Sequence, residues 1–350
     1  MAVGFIHGLQ GNDPKYLKTV ATVKHFAVHS GPESERHRFN AKIGPRDLWE
    51  TYLPAFETGI CEGGAVSLMS AYNAVDDVPA SCNATLLTTI LRDRWGFKGA
   101  VVGDVDSVSD IHKHHHYTKD GAESSALAVK AGNDLCSGQT YENLPDALKR
   151  GLISEADLDK ALARIFTLRF RLGQFDPPAV VPFANIPISE NETPASDHLA
   201  LEAARQSLVL LKNDGVLPWT MSDVKTVAVI GPTADLMSSL LGNYAGTPSH
   251  PSTLLKGLRN ALEPKGITVL SAPGAPVAKG FQESGNPIPA DVLFADETRA
   301  TAGLVGQVFT NLELKGVALA KRTDGPVDLR WNPQEPQPLH PTPTQLLPVN

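Results

Sequence analysis

The ten residues Trp95-Gly96-Phe97-Lys98-Gly99-Ala100-Val101-Val102-Gly103-Asp104 decide how this chain is read. Two glycines mark a turn, a short apolar run follows, and an aspartate closes it. A run this short, bounded by turn signals, reads as a buried strand. Where parallel strands alternate with helices, chemistry gathers at the C-terminal strand ends, which is where Asp104 falls. Gly103 before it would let the backbone and a ligand ring approach closely. For an aspartate in such a place, the plain alternative is a turn or helix cap.

The same alternation continues on both sides. Upstream lie TVATVKHFAV (19–28), the amphipathic RDLWETYLPAFETGI (46–60), GAVSLMSAYN (64–73) and the helical ATLLTTILRDRW (84–95). Strand, helix, strand, helix at this spacing describes parallel βα units. Downstream, ESSALAVKAG (123–132) reads as a helix leading into a short apolar strand, NDLC (133–136). Residues 144–173 then read as two helices joined at Gly151. The second starts at Ser154 with Asp157 three residues on, and its stripe of Leu158, Ala161, Leu162, Ile165 and Leu168 is expected to face inward.

A first domain is therefore expected over 1–173, followed by a proline-rich surface linker over 174–195 that contains the sequon Asn191-Glu192-Thr193. A second α/β domain is expected over 196–290, with the helix SDHLALEAARQSLVLL (196–211), the short buried strand KTVAVIGP (225–232) and the helix TLLKGLRNAL (253–262). Alternating strands from 297 to 350, with an Asp324-Gly325 turn, read as the start of an all-β module ending in a proline-rich tail.

Composition narrows the partners. A charge of −7 over 350 residues, 42% of them hydrophobic, argues against nucleic acid or an anionic membrane and for a neutral ligand. No apolar run is long enough to span a membrane, and the N-terminus has no signal-peptide pattern. Cys61, Cys82 and Cys136 show neither zinc nor disulfide spacing and are expected to be buried thiols. His112, His114, His115 and His116 could in principle ligate zinc, but no well-spaced cysteine or carboxylate joins them in the sequence, so no metal is expected.

The segment W-G-F-K-G-A-V-V-G-D resembles the signature of glycoside hydrolase family 3, in which such a turn enters the strand that delivers a nucleophilic aspartate. Three further segments resemble the same family in the same order: Lys24-His25-Phe26, Arg36 in the loop beyond, and Met69-Ser70-Ala71-Tyr72-Asn73. The resemblance implies a retaining β-glycosidase acting on terminal β-glucosyl or β-xylosyl residues through a covalent glycosyl-enzyme on Asp104. It implies that Lys24 and His25 hold sugar hydroxyls and that Arg36, Met69 and Tyr72 line the same pocket. Read alone, the Lys-His pair and Arg36 would be solvated charges and Tyr72 a core aromatic. The partner implied is a carbohydrate substrate, with no cofactor.

The fold implied is a partial (β/α)8-type barrel, then the start of an α/β sandwich, with V-A-V-I-G-P as its opening strand and L-L-G-N-Y-A-G-T-P-S-H-P as a loop. The tail is similar to the start of a protective-antigen-like β module. M-A-V-G-F-I-H-G-L-Q looks like a helix from the middle of the barrel, which leaves the earlier βα units, and the part of the sandwich that supplies the acid/base glutamate, outside this sequence. No acid/base residue is therefore assigned. Val105 and Asp106 depart from the family pattern, and Asp106 stays a rival nucleophile. H-H-Y after the nucleophile is similar to a loop of the xylosidase-like branch. An N-acetylhexosaminidase-type enzyme fits less well, because K-H-F-A-V-H-S-G-P-E lacks the Pro-Gly-His-Gly stretch of that type. A catalytically incomplete sugar-binding fragment is the alternative from another class. Family members are often periplasmic or secreted.

Overall fold

A computed structural model describes residues 1–275 and 292–324, apart from Met221, Asn243, Ala245, Thr247 and Leu312. Contacts divide the chain into two compact units, Met1–Pro187 and Ile188–Asn350. Among the described residues no helix is long and apolar enough to cross a membrane.

The first unit is built on a four-stranded parallel sheet in sequence order: β1 (Thr22–Phe26), β2 (Ser67–Ser70), β3 (Ala100–Gly103) and β4 (Leu135–Cys136). Each crossover is helical, as parallel pairing demands. The register sets Thr22 beside Ser67, Ser67 beside Ala100, and Val102 beside Leu135. This is an α/β fold in a partial (β/α)8-type arrangement. The turn that opens β3 needs both its glycines. Gly96 has φ +69°, and a Cβ on Gly99 would collide with the carbonyl oxygen of Val66.

Phe26, Leu68 and Val101 from the strands pack with Leu53, Leu86, Leu87 and Leu91 from the crossovers in one core. The crossover 45–62 is interrupted at Pro54 and, like 85–94, contains wide π-type turns, as in the bond from Leu53 N–H to the Leu48 carbonyl. After β3 come α1 (Ser107–Lys113) and α2 (Gly121–Ala131); after β4, α3 (Leu144–Lys149) and α4 (Glu155–Arg171). Asp120 caps α2 by accepting from the Glu123 N–H at 2.9 Å. The expected start of α4 is present as a reciprocal Ser154–Asp157 capping box.

Packing departs from expectation in several places. Ala161 and Leu168 are buried on α4, but Leu162 is 50% exposed, because one residue along a helix is a rotation of about 100° away from the buried stripe. Leu135 is exposed in the two-residue β4. Of the three free thiols only Cys82 is buried; Cys136 is half-buried and Cys61 lies exposed in the last helical turn before β2. Residues 174–187 are anchored to this unit: Val181 is buried, Phe175 stacks on Phe170 at 4.5 Å, and Asp176 accepts from the Tyr16 hydroxyl at 2.7 Å.

At the N-terminal end of the sheet sits a buried ionic knot. Asp134 accepts from Arg92 at 2.7 Å, from Arg164 at 2.8 Å and from the Val101 N–H at 2.8 Å, while Arg92 also reaches the Gly99 and Gly132 carbonyls. Burial works against both charges, raising the Asp134 pKa and lowering that of Arg92. This end of a parallel βα sheet serves stability, and the opposite end is free for chemistry.

In the second unit, β5 (Thr226–Ile230) and β6 (Thr268–Ala272) pair in parallel. The helix α6 (Leu254–Leu262) packs Leu255 and Leu262 against Val229, Ile267 and Val269. The helix α5 (Pro194–Ser207) stops before the expected Leu211, and β5 buries only Val229 rather than its whole run. Further on, β7 (Leu304–Val308) and β8 (Ala320–Asp324) form an antiparallel hairpin. Gly325 of the expected Asp324-Gly325 turn, and the tail beyond it, lie outside the described residues.

Candidate active site

The C-terminal strand ends place the side chains. Asp104 follows β3 directly, and its backbone N–H donates to the Ser70 carbonyl at the end of β2, 3.3 Å away. His25, near the end of β1, brings Nε2 to 3.1 Å from Asp104 Oδ2. The Val105 N–H donates to Oδ1 at 2.8 Å, and the Tyr72 hydroxyl donates to the same carboxylate. The Asp104 side chain is about one-tenth exposed. Burial alone pushes its pKa up. The hydrogen bonds from His25, Val105 and Tyr72, together with the charge on His25, outweigh that and hold it below the ordinary aspartate value. Tyr72 moves the other way, raised well above a normal phenol by burial and then by the Asp104 charge. The result is an ionised carboxylate facing a neutral phenol.

Beneath Asp104 lies a buried hydroxyl and amide network. Ser81 Oγ bridges Ser70 and Ser107 at 2.8 Å each, and Asn133 Nδ2 reaches Ser70 Oγ at 3.3 Å. The network joins β2 to the start of α1 with neutral groups, so it fixes the backbone without adding a second charge. Gly103 does not open toward a ligand as expected. A Cβ there would meet Ser107 Oγ, Asn133 Nδ2 and Val108 at 3.0–3.2 Å, so its missing side chain serves packing.

Arg36 follows a 3-10 turn (Glu33–Glu35), forks onto Glu33 with two contacts of 2.9 Å, and lies 5.6 Å from the Tyr72 ring centroid. Lys24 is exposed on β1 next to His25. Met69 is half-buried on β2, in register with Val102. Asp106 stands apart from the cluster. It caps α1 at φ +61°, its N–H donates to the Ser137 carbonyl at 2.7 Å, and its carboxylate lies against Gly138.

Three of the four clustered histidines go separate ways: His112 meets Ser124 Oγ at 3.0 Å, His115 Nε2 meets the Tyr72 carbonyl at 2.8 Å, and His114 Nδ1 meets Asp110 Oδ1 at 2.7 Å, while His116 follows at φ +52°. A carboxylate does join one of them, contrary to the sequence reading. The other oxygen of Asp110 takes His37 Nδ1 at 2.8 Å, and His37 presents its edge to Tyr72 at 4.5 Å between ring centroids. His29, 4.9 Å from His25 and 6.2 Å from Tyr72, also borders the cluster, with its pKa lowered by burial and by His25. Sequence reasoning missed His29, His37 and Asp110. The i,i+4 spacing of Asp110 and His114 was the one readable signal.

This geometry can be set beside known proteins. The model described as the glycosyl hydrolase family 3 N-terminal domain matches residues 1–168, and that of the family 3 C-terminal domain matches residues 208–326. The chain belongs to glycosyl hydrolase family 3. Among curated relatives, a xylan 1,4-β-xylosidase of Xylanibacter ruminicola is 42% identical over 264 residues, which is 74% of this chain and 30% of the relative. A probable β-D-xylosidase of Arabidopsis thaliana is 39% identical over 272 residues, 74% of this chain and 36% of the relative. A solved GH3 exo-β-xylosidase in complex with a xylobiose aziridine activity-based probe superposes with a TM-score of 0.74 at 33% identity, covering 79% of this chain and 36% of that one. For a β-glucosidase from Listeria innocua in complex with glucose the TM-score is 0.69 at 28% identity, covering 80% and 38%. The chain thus spans about a third of the length of these relatives.

Proposed function

We propose that this chain carries the nucleophile half of a retaining β-glycosidase, with Asp104 attacking the anomeric carbon of a terminal β-xylosyl or β-glucosyl residue. The observation that carries this reading is the Asp104 carboxylate, held ionised at a strand end by His25, Val105 and Tyr72. A nucleophile in such a reaction must be charged at working pH, oriented, and only partly desolvated. The Val105 N–H on Oδ1 and the imidazole of His25 on Oδ2 fix its two oxygens, with the neutral Tyr72 hydroxyl as a further donor, so that attack needs no reorganisation of the carboxylate. Lys24, Arg36 and Met69 are proposed to line the sugar pocket around it. The names of the relatives favour a xyloside, with a glucoside second.

The acid that protonates the leaving oxygen is left unassigned, and the test is chosen accordingly. A 2-deoxy-2-fluoro-β-xylosyl fluoride has a leaving group that departs without protonation, so ester formation on the nucleophile does not need that acid. After incubation and proteolysis, mass spectrometry should find the fluoro-xylosyl adduct on the peptide containing Asp104 and none in Asp104→Asn. An adduct on Asp106, or labelling that persists in Asp104→Asn, would overturn the assignment. Binding of xylose with no adduct at all would favour the incomplete sugar-binding fragment.

A further inference from the structure

We propose that His37, Asp110 and His114 form a binding site for a divalent transition-metal ion of the zinc class, stapling the loop after β1 to the end of α1. The donor atoms are His37 Nδ1, an Asp110 carboxylate oxygen and His114 Nδ1, all within 4.8 Å of one another. Two imidazoles and one carboxylate suit zinc and its first-row neighbours rather than calcium or magnesium, which demand more oxygen donors.

Three features support a cation here over a plain hydrogen-bonded trio. The Asp110 side chain is only 2% exposed, and among the described residues its recorded ion-pair partners are these two imidazoles, with no lysine or arginine. Buried carboxylates in proteins are paired, hydrogen-bonded or used as metal ligands, and this one has two imidazoles, both common metal ligands, against its two oxygens. The second feature is that each imidazole already directs its Nδ1 at a different oxygen, at 2.8 and 2.7 Å, so the donors converge before any ion arrives.

The third is the fit. A tetrahedral ion with bonds of about 2.0–2.1 Å wants its ligand atoms roughly 3.3 Å apart. His37 and His114 are nearly half exposed and can swing inward by about an ångström, while Asp110 stays fixed in the helix. Three protein ligands leave one position for water. Asp110 and His114 share a helix face, whereas His37 lies 73 residues from Asp110 in sequence, so an ion would close a long loop. Through His37 it would also clamp the Tyr72 ring. The cation site does not depend on Asp104 being a nucleophile.

The test uses the untagged chain, stripped with a chelator and titrated with zinc chloride by calorimetry, with cobalt(II) chloride as an optical probe. One equivalent should bind, and cobalt should show the visible bands of a tetrahedral centre. His37→Ala and His114→Ala, both at half-exposed positions, should each weaken zinc binding by roughly 100-fold or more, while His112→Ala should leave it unchanged. Asp110→Asn is a buried change that risks the fold, so the two histidine variants, checked by circular dichroism, decide the matter. Sub-stoichiometric binding, binding indifferent to both histidine variants, or binding abolished by His25→Ala instead would overturn the proposal.

Discussion

Replacing Tyr72 by Phe removes one oxygen and keeps the ring that packs against His37 and Arg36. What is lost is one of three hydrogen bonds that hold the Asp104 pKa down. A hydrogen bond to a charged group contributes about 1.5–3 kcal/mol, and one pKa unit corresponds to about 1.4 kcal/mol. If the whole energy favoured the charged form, the Asp104 pKa would rise by about one to two units; partial replacement by water brings the expectation to about one unit. The sign follows from the chemistry, since the lost donor stabilised only the carboxylate. The acid limb of the rate profile must therefore move to higher pH. The assay is the second-order rate of labelling by the fluoro-xylosyl fluoride across the acid range, which reports ionisation in the free protein. An acid limb that stays in place, or moves to lower pH, would show that Tyr72 does not set the charge on Asp104.

Asp134→Asn should cost about 3–5 kcal/mol in urea unfolding, because it leaves Arg92 buried and Arg164 half-buried without their counter-charge; a loss under about 1 kcal/mol would contradict the knot's role. Gly138→Ala, at φ +141° and with its new methyl pressed onto Asp106 Oδ1, should destabilise by about 1–3 kcal/mol, and Asp106→Ala should relieve part of that loss in the double variant, whereas strict additivity would refute the clash. Burial lowers the pKa values of His29, His112 and His115 in the folded state. Unfolding then takes up protons as pH falls below the free imidazole value of 6.5, so the denaturation midpoint should begin to decline there, above the range in which carboxylates titrate. A midpoint that is flat or rises on acidification would contradict the direction.

The fold was legible because its signals are local. The W-G-F-K-G turn, the apolar run after it and the capping box at Ser154 each depend on residues within a few positions of one another, and each appears as a turn, a strand and a helix start. What failed was the assignment of faces. Leu162 matched the helical stripe by period yet points outward, and the V-A-V-I run of β5 is mostly uncovered, because burial depends on what packs above an element and not on its own pattern. Gly103 failed for a related reason. A glycine before a strand-end aspartate can serve a ligand or a neighbour, and here Ser107, Val108 and Asn133 fill the space.

The site divides along the same line. His25, Tyr72 and Asp104 were named through the family resemblance, and each lies at or just beyond a strand end, where parallel pairing carries residues 25, 72 and 104 to one end of the sheet whatever lies between them. His37 closes no strand. It reaches Tyr72 and Asp110 only because the chain after β1 folds back through the turn at Glu33–Glu35, where the backbone bond from Phe39 N–H to the Glu35 carbonyl tightens the loop. Spacing cannot encode such a return, since a sequence separation of 73 residues carries no periodic signal. A functional group on a strand end is therefore readable from the pattern that makes the strand, and a group on the loop beside it becomes visible only once the loop has been closed.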